Sequence, residues 1–353
     1  MESTKQAQVT KETKKRIVVD YEGKLTFWER LLKKLKTFNT WANVVVGIIK
    51  FLLMLGVSFV ILFPFVSRIA GSFMTRADIM DPTVALIPKT PTLEIYQALI
   101  VENRYFEALL NTLLIALLCA LIQTLVSCLV GYGLAKFKFK GNKVVMLLVI
   151  ITMIIPTSTL KLSMIHHVQN FDILQVISWG FPKVFSLFAD SAISIKNTVW
   201  PYVILSVSGV AFKNGLYIYL MRQFFKGVPD ELEESAYVDG SGPYRTFFRI
   251  IMPLAVPMMI TVFLFSFSWQ WTDEFYAEVF RWNINGPDRM WLMPDIYSNI
   301  PGSLTFENFS GQHGYNMVIR NTAGMLIILP LIIMYLFCQR YLVEGIERSG
   351  IVG

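Results

Sequence analysis

The chain has 353 residues, 54% of them apolar and 16% charged, with a mean hydropathy of +0.51 and a formal net charge of +7. An ordinary soluble domain carries about 25% charged residues, so this composition excludes an intrinsically disordered chain and argues against a soluble protein of this size. Cys119, Cys128 and Cys338 all lie in apolar runs, which excludes a disulfide scaffold or a Cys-rich zinc module and leaves a polytopic membrane protein as the class.

Residues 1–41 are read as a cytosolic extension. The first 40 residues are too polar for a cleavable signal peptide. Within them, Leu25, Trp28, Leu31, Leu32 and Leu35 recur at helical spacing between Arg30, Lys33, Lys34 and Lys36. That pattern predicts an amphipathic helix on the lipid surface, or a collar packed on the protein itself. Residues 42–353 form the membrane domain.

A bilayer core of about 30 Å needs about 20 apolar residues in helix. Six stretches qualify: 44–65, 108–135, 144–164, 200–220, 253–272 and 321–339. The second is the clearest, with 28 uncharged residues between Glu107 and Lys136. Stretch 165–198 is apolar enough for an interfacial or re-entrant helix, but Gly180 and Pro182 interrupt it. The outer stretch before the second span is rich in Pro and Thr and leads into a short helix. Residues 274–316 carry Trp282, Trp291, Tyr297, Phe306 and Phe309. The fold class is therefore all-α, with six transmembrane helices.

Orientation follows the basic residues near the span ends. Residues 1–49 hold ten Lys/Arg against five acids, and the link 131–143 holds Lys136, Lys138, Lys140 and Lys143 with no acid. Residues 222–252 hold four basic and five acidic residues, and 339–353 two of each. With six spans these segments share one side, which places both termini in the cytosol. The positive excess is an orientation signal, and no nucleic-acid partner is expected.

No Gly-x-x-x-x-Gly-Lys-Ser/Thr sequence occurs, so the chain has no P-loop of its own. No His/Cys cluster has metal spacing, and the adjacent His166 and His167 diverge on a helix. No nucleophile elbow is present. The sequence therefore predicts no catalytic residue, no metal and no bound cofactor.

The segment 229–253 stands apart. Pro229 suits a first helical turn, and Asp230, Glu231, Glu233 and Glu234 favour the positive end of a helix dipole. Gly240 can take the left-handed conformation that ends the helix. A second helix starts near Tyr244 and leads through Pro253 and Pro257 into the fifth span. Ser235, Ala236 and Gly240 let another backbone approach closely. The segment reads as a docking surface rather than a merely solvated acidic loop.

This stretch resembles the EAA loop of binding-protein-dependent ABC importer permeases, whose pattern is Glu-Ala-Ala, three residues, Gly, nine residues, Ile, one residue, Leu-Pro. Glu234-Ser235-Ala236, Gly240, Ile250 and Met252-Pro253 fall on it in register, with Ser235 and Met252 as conservative departures. Asn111-Thr112, residues 131–137, Lys140-Gly141, residues 221–225 and residues 339–345 resemble the carbohydrate branch, most closely the second permease subunit of maltose-type importers. The likeness begins near residue 45.

The resemblance implies a mechanism in the bacterial cytoplasmic membrane. Two homologous permeases enclose a path, and two cytosolic ATPase subunits, which bind ATP and Mg, close beneath them. An extracellular or periplasmic solute-binding protein delivers the sugar. It also implies that Glu233, Glu234, Ser235, Ala236, Asp239, Gly240, Ile250 and Pro253 form the ATPase-coupling surface, with Glu234 pairing to a basic group, and that Gly345, Gly350 and Gly353 lie in a tail reaching the ATPases.

A polar or ionisable side chain inside a span is a functional candidate. Lys213 lies in the fourth stretch beside Asn214 and Gly215, with Gly209 and Gly215 as candidate helix breaks. Lys213 either lines the path or pairs with a carbonyl near such a break. Gln123 and Asn321 are similar candidates. Trp269, Gln270, Trp271, Thr272 and Asp273 combine aromatic faces with polar tips, as a sugar site requires, or form an interfacial aromatic belt. Three other functions compete: an ABC permease for another polar solute, an ion-coupled transporter, and a membrane enzyme. A transporter working alone would show inverted repeats and several intramembrane charges, and an enzyme a catalytic set; neither pattern is present.

Overall fold

The computed structural model describes residues 38–169, 198–280, 290–307 and 309–350. The amphipathic stretch 25–38, almost all of the interfacial stretch 165–198, Trp282 and Gly353 fall wholly or mainly outside them. The chain divides into two compact units, residues 1–66 and 67–353.

Among the described residues of the first unit, helix α1 (Phe38–Gly71) begins at Phe38 and continues across residue 66. Its apolar side chains are exposed from Val44 to Ile69. A helix can carry such a surface through lipid, because all its backbone groups bond internally.

The second unit is all helical among the described residues. Its first half holds α2 (Arg76–Met80), α3 (Glu94–Val101), α4 (Tyr105–Lys136), α5 (Asn142–Ile154), α6 (Thr157–Gln169) and α7 (Trp200–Ser208). Its second half holds α8 (Asn214–Gly227), α9 (Glu231–Val238), α10 (Pro243–Thr246), α11 (Met252–Trp271), α12 (Glu274–Phe280), α13 (Met293–Ser298) and α14 (Gln312–Gly350). A π-helical turn over Phe247–Ile251 joins α10 to α11. The extended outer stretch and short helix expected before the second span are residues 81–93 and α3.

Among the described residues, four helices are long and apolar enough to cross a membrane: Val44–Gly71, Tyr105–Lys136, Pro243–Trp271 and Gln312–Arg340. The expected third span is not one straight helix. It breaks at Ile155-Pro156, and α5 and α6 meet at 98°. Pro156 explains the break, since it disfavours helical backbone at the preceding residue, and Ile155 is extended with φ −62° and ψ 122°. The expected fourth span is also interrupted, as α7 ends at Gly209 and α8 begins after Lys213, both with left-handed φ. Gly215 is not a second break. It sits in the first turn of α8, where a Cβ would come 2.8 Å from the Val149 carbonyl oxygen.

Helix α4 is the central pillar, with α8, α11 and α7 packed along it. At Gly131 a Cβ would lie 2.6 Å from Met221 Cβ and 2.9 Å from the Arg222 nitrogen, so only Gly lets α4 and α8 pack at this distance. Near the α9 end, Tyr132, Tyr217, Met221, Phe225, Phe247 and Ile251 form one buried cluster. Near the other end, Ile95, Leu99, Trp271, Met293, Ile296 and Tyr315 form another.

Candidate functional site

The acidic segment folds as its composition predicts, with one shift at the start. Asp230 occupies the N-cap position of α9, its carboxylate turned to Lys136 rather than to the helix N–H groups, and Pro229 lies just outside. Three acids in the first turn, Glu231, Glu233 and Glu234, face the positive pole of the helix. At the other end Gly240 has φ +80°. Its N–H donates to the Tyr237 carbonyl at 3.0 Å, and the Ser241 N–H to the Ala236 carbonyl at 2.9 Å. This pair of bonds is the Schellman closure that a left-handed glycine permits.

The helix has two distinct faces. Glu233 and Ala236, three residues apart, are buried against the rest of the chain. Glu231, Leu232, Glu234, Ser235, Tyr237, Val238, Asp239 and Gly240 are exposed, Val238 to 88%. Of the expected coupling residues, Glu234, Ser235, Asp239 and Gly240 thus share the open surface, while Glu233 and Ala236 face inward. Ile250 lies half-buried in the π-helical turn, and Pro253 is exposed in the first turn of α11.

The inward face meets a residue that the sequence reading treated only as charge. Lys136 ends α4, and its side chain is 6% exposed. Its ammonium donates to the Val228 carbonyl at 2.6 Å and to Asp230 Oδ1 at 2.5 Å, and it lies 3.8 Å from Glu233 Oε1. The two acids respond oppositely. The Lys136 hydrogen bond and charge hold the Asp230 carboxyl below the usual carboxylate range. Desolvation raises that of Glu233, against the opposing pull of Lys136. One buried cation therefore fixes the entry to α9 to the end of the central pillar.

The candidate path residues separate into two groups. Lys213, Gln123, Trp269 and Asp273 line one cavity of about 180 Å³, together with Tyr217 and Ser266. The Lys213 ammonium lies 4.4 Å from the centroid of the Trp269 ring. Gln123 donates to Ser206 Oγ at 3.1 Å and accepts from Ser266 Oγ at 2.6 Å. Asp273 Oδ2 accepts from the Tyr276 N–H at 2.8 Å and so caps α12. Beside the cavity, Asn214 is fully buried, and its amide has no hydrogen-bond partner among the described residues.

Trp271 and Asn321 do not line this cavity. Trp271 is 1% exposed, stacks on Phe267, and donates Nε1–H to the Ile327 carbonyl at 2.9 Å. It ties α11 to α14 and belongs to the core. Asn321 is half-buried on α14. Gly345 and Gly350 are helical residues of α14, whose 39 residues span about 59 Å at about 1.5 Å each, well beyond a bilayer core. Lys136, Ser206, Ser266 and Tyr217 were missed. The one signal for Lys136 was its place at the end of the longest uncharged run.

An exposed, rigidly mounted short helix between two long apolar helices is what the coupling-loop resemblance to ABC importer permeases calls for. The chain belongs to the family of binding-protein-dependent transport system inner membrane components, whose family model matches residues 123–348. It is 28% identical to the alpha-glucoside transport system permease protein AglG of Rhizobium meliloti over 269 residues, 76% of this chain and 62% of that protein, so it spans less than two thirds of that relative. It is 26% identical to the probable starch degradation products transport system permease protein AmyC of Thermoanaerobacterium thermosulfurigenes, covering 82% of this chain and 90% of that one. The crystal structure of a bacterial ABC transporter involved in the import of the acidic polysaccharide alginate shares the fold, with a TM-score of 0.60 at 19% identity over 85% of this chain and 97% of that one.

Proposed function

We propose that this chain is the second permease subunit of an importer for a sugar or oligosaccharide, coupled to its ATPases through the open face of α9. The exposed row of Glu234, Ser235, Asp239 and Gly240 on a helix anchored from beneath carries the reading. Glu234 pairs with a basic group in an ATPase groove, which specifies the partner more than it adds affinity. Ile250 and Pro253 pass the motion into α11, and the extension of α14 around Gly345–Gly350 reaches toward the ATPase pair. ATP and Mg stay on those subunits.

The chain crosses the membrane six times with both termini in the cytosol, α5–α6 and α7–α8 each forming an interrupted crossing. A homologous permease completes the path, and an external solute-binding protein delivers cargo. Lys213, Gln123, Trp269 and Asp273 face the path, with Asn214 buried beside them. Relatives named for alpha-glucosides, starch degradation products and arabinooligosaccharides support a carbohydrate cargo. The test combines Glu234→Lys with Gly240→Leu in the assembled complex. Sugar uptake should fall to background while membrane insertion and the amount of permease remain normal. Normal uptake would overturn the coupling role.

A further inference from the structure

The turn between α4 and α5 holds a second charged feature that the coupling reading does not use. Lys138, Lys140 and Lys143 are all exposed, and with Arg222 they line an open groove of about 650 Å³. Among the described residues, no acidic side chain lines it. Asp230, which feels the charge of Lys138, is already engaged by Lys136. Among the described residues, Lys140 and Lys143 form no ion pair.

The scaffold is fixed. Gly141 takes φ +102°, and the Asn142 side-chain amide donates to the Leu134 carbonyl at 3.2 Å and to the Phe137 carbonyl at 3.1 Å. The Arg222 Nε–H donates to the same Leu134 carbonyl at 3.3 Å. Between the lysines stand Phe137, 49% exposed, and Phe139, 46% exposed, with Val144 beside them at 59%. Basic tips over exposed apolar rings, at the end of a membrane-crossing helix, match an amphiphile: rings in the acyl boundary, ammonium groups at the phosphate level.

We propose that this groove is a binding site for the headgroup of an anionic phospholipid. The proposal rests on the cytosolic placement of the α4–α5 turn given above. An anionic headgroup supplies the negative charge that the groove lacks, and each lysine near such a surface is worth about a fivefold preference. The headgroup would sit next to Lys136 and hence next to the mount of α9.

The full-length chain, released from detergent into native mass spectrometry with equal amounts of phosphatidylglycerol and phosphatidylcholine, tests it. Wild type should retain phosphatidylglycerol at least tenfold over phosphatidylcholine, and K138Q/K140Q/K143Q should lose that preference. K138R/K140R/K143R should keep it, which separates charge from a folding defect. If the triple Gln variant does not fold, K140Q and K143Q singly should each cut the preference about fivefold. Equal retention of the two lipids by wild type, or an unchanged preference in the Gln variant, would overturn the site. Displacement of the lipid by millimolar inorganic phosphate would show a free-phosphate site and overturn the lipid assignment. The orientation is read separately. In a Cys338→Ser background, labelling of Lys140→Cys from outside sealed right-side-out vesicles would sink the cytosolic placement without touching lipid retention.

Discussion

Lys136 donates to Asp230, 94 residues further along the chain, at 2.5 Å. The same ammonium faces Glu233 at 3.8 Å and the Val228 carbonyl at 2.6 Å. The ammonium thus links the start of α9 to the end of α4, around which α8 and α11 pack. The mount is electrostatic on one side and apolar on the other, where Tyr132 packs on Phe247 at 4.6 Å between centroids.

Removing the cation should release the mount. Lys136→Met leaves Glu233 buried and uncompensated, while Glu233→Gln alone removes a charge that burial already disfavours. The expectation is a loss of about 1–3 kcal/mol for Lys136→Met, tempered because Asp230 is exposed and screened. Lys136→Met with Glu233→Gln should recover part of that loss. A double-mutant cycle by thermal unfolding of the purified permease checks this, and strict additivity would show that the two do not interact. Sugar-stimulated ATPase activity of the complex should fall in Lys136→Met even where the amount of permease is normal.

The pH dependence of the two acids should run in opposite directions. Glu233 has a raised folded pKa, so its protonated form stabilises the fold. That contribution is full below its usual value of 4.5 and fades as pH rises through the folded value. Glu233→Gln should therefore gain on wild type as pH increases from about 4 to 7, with the gain levelling off above the folded pKa. Asp230 has a lowered pKa, so its contribution is present above its usual value of 3.8 and disappears as pH falls. Asp230→Asn should lower Tm at pH 7 and match wild type in strong acid. Parallel slopes for both variants would contradict the arrangement.

Gly240 should tolerate Asn better than Ala or Val. At φ +80° a Cβ costs about 1–2 kcal/mol, less for Asn, while nothing lies within 4 Å to clash with it. The penalty is thus backbone strain at the end of α9 rather than lost packing. Tm should rank Gly, Asn, Ala, Val in falling order, and coupled ATPase activity should follow the same order. A fall in ATPase activity with no change in Tm would instead assign the defect to the partner's groove.

Much of this site was legible because it is local. The acid run, Gly240 and Pro243 lie within fifteen residues and fix two helix ends by capping alone. The face that points inward was not legible, since Glu233 and Glu234 are chemically equal in sequence and differ only in what packs beneath them. Lys136 finds Asp230 across 94 residues, and Trp271 finds the Ile327 carbonyl across 56. Pairings at that separation carry no periodic signal. Pro156 did carry a local signal for the bend in the third span, but the long apolar run masked it. Lys213 and Trp269 line the cavity, where charge and indole are costly in a span unless given polar surroundings, whereas Trp271 lies in the core with its N–H satisfied by a neighbouring helix.

Gly131 should refuse any side chain. An Ala Cβ would sit 2.6 Å from Met221 Cβ and 2.9 Å from a backbone nitrogen of α8. One of these neighbours is backbone, so repacking of a flexible tip cannot absorb it. Gly131→Ala should cost about 1–3 kcal/mol by forcing α4 and α8 apart. Met221→Gly in addition should recover only part of that, because the Arg222 nitrogen stays. Full recovery in thermal unfolding would place the conflict in the Met221 side chain alone.

Lys213 joins two properties that can be separated by substitution. Its φ of +69° at the start of α8 is strained for a residue with a Cβ, and its ammonium lies 4.4 Å from the Trp269 ring centroid in the cavity. Lys213→Gly removes both the strain and the charge; Lys213→Met keeps the strain and the side-chain length and removes only the charge. Relief of a left-handed non-glycine is worth about 1 kcal/mol, partly offset by the freer unfolded chain. Lys213→Gly should therefore be at least as stable as Lys213→Met by thermal unfolding. If the ammonium serves transport rather than the helix break, both variants should lose uptake to a similar extent despite that difference. Uptake that follows stability instead, retained in Lys213→Gly and lost in Lys213→Met, would assign Lys213 to the backbone turn and remove it from the path.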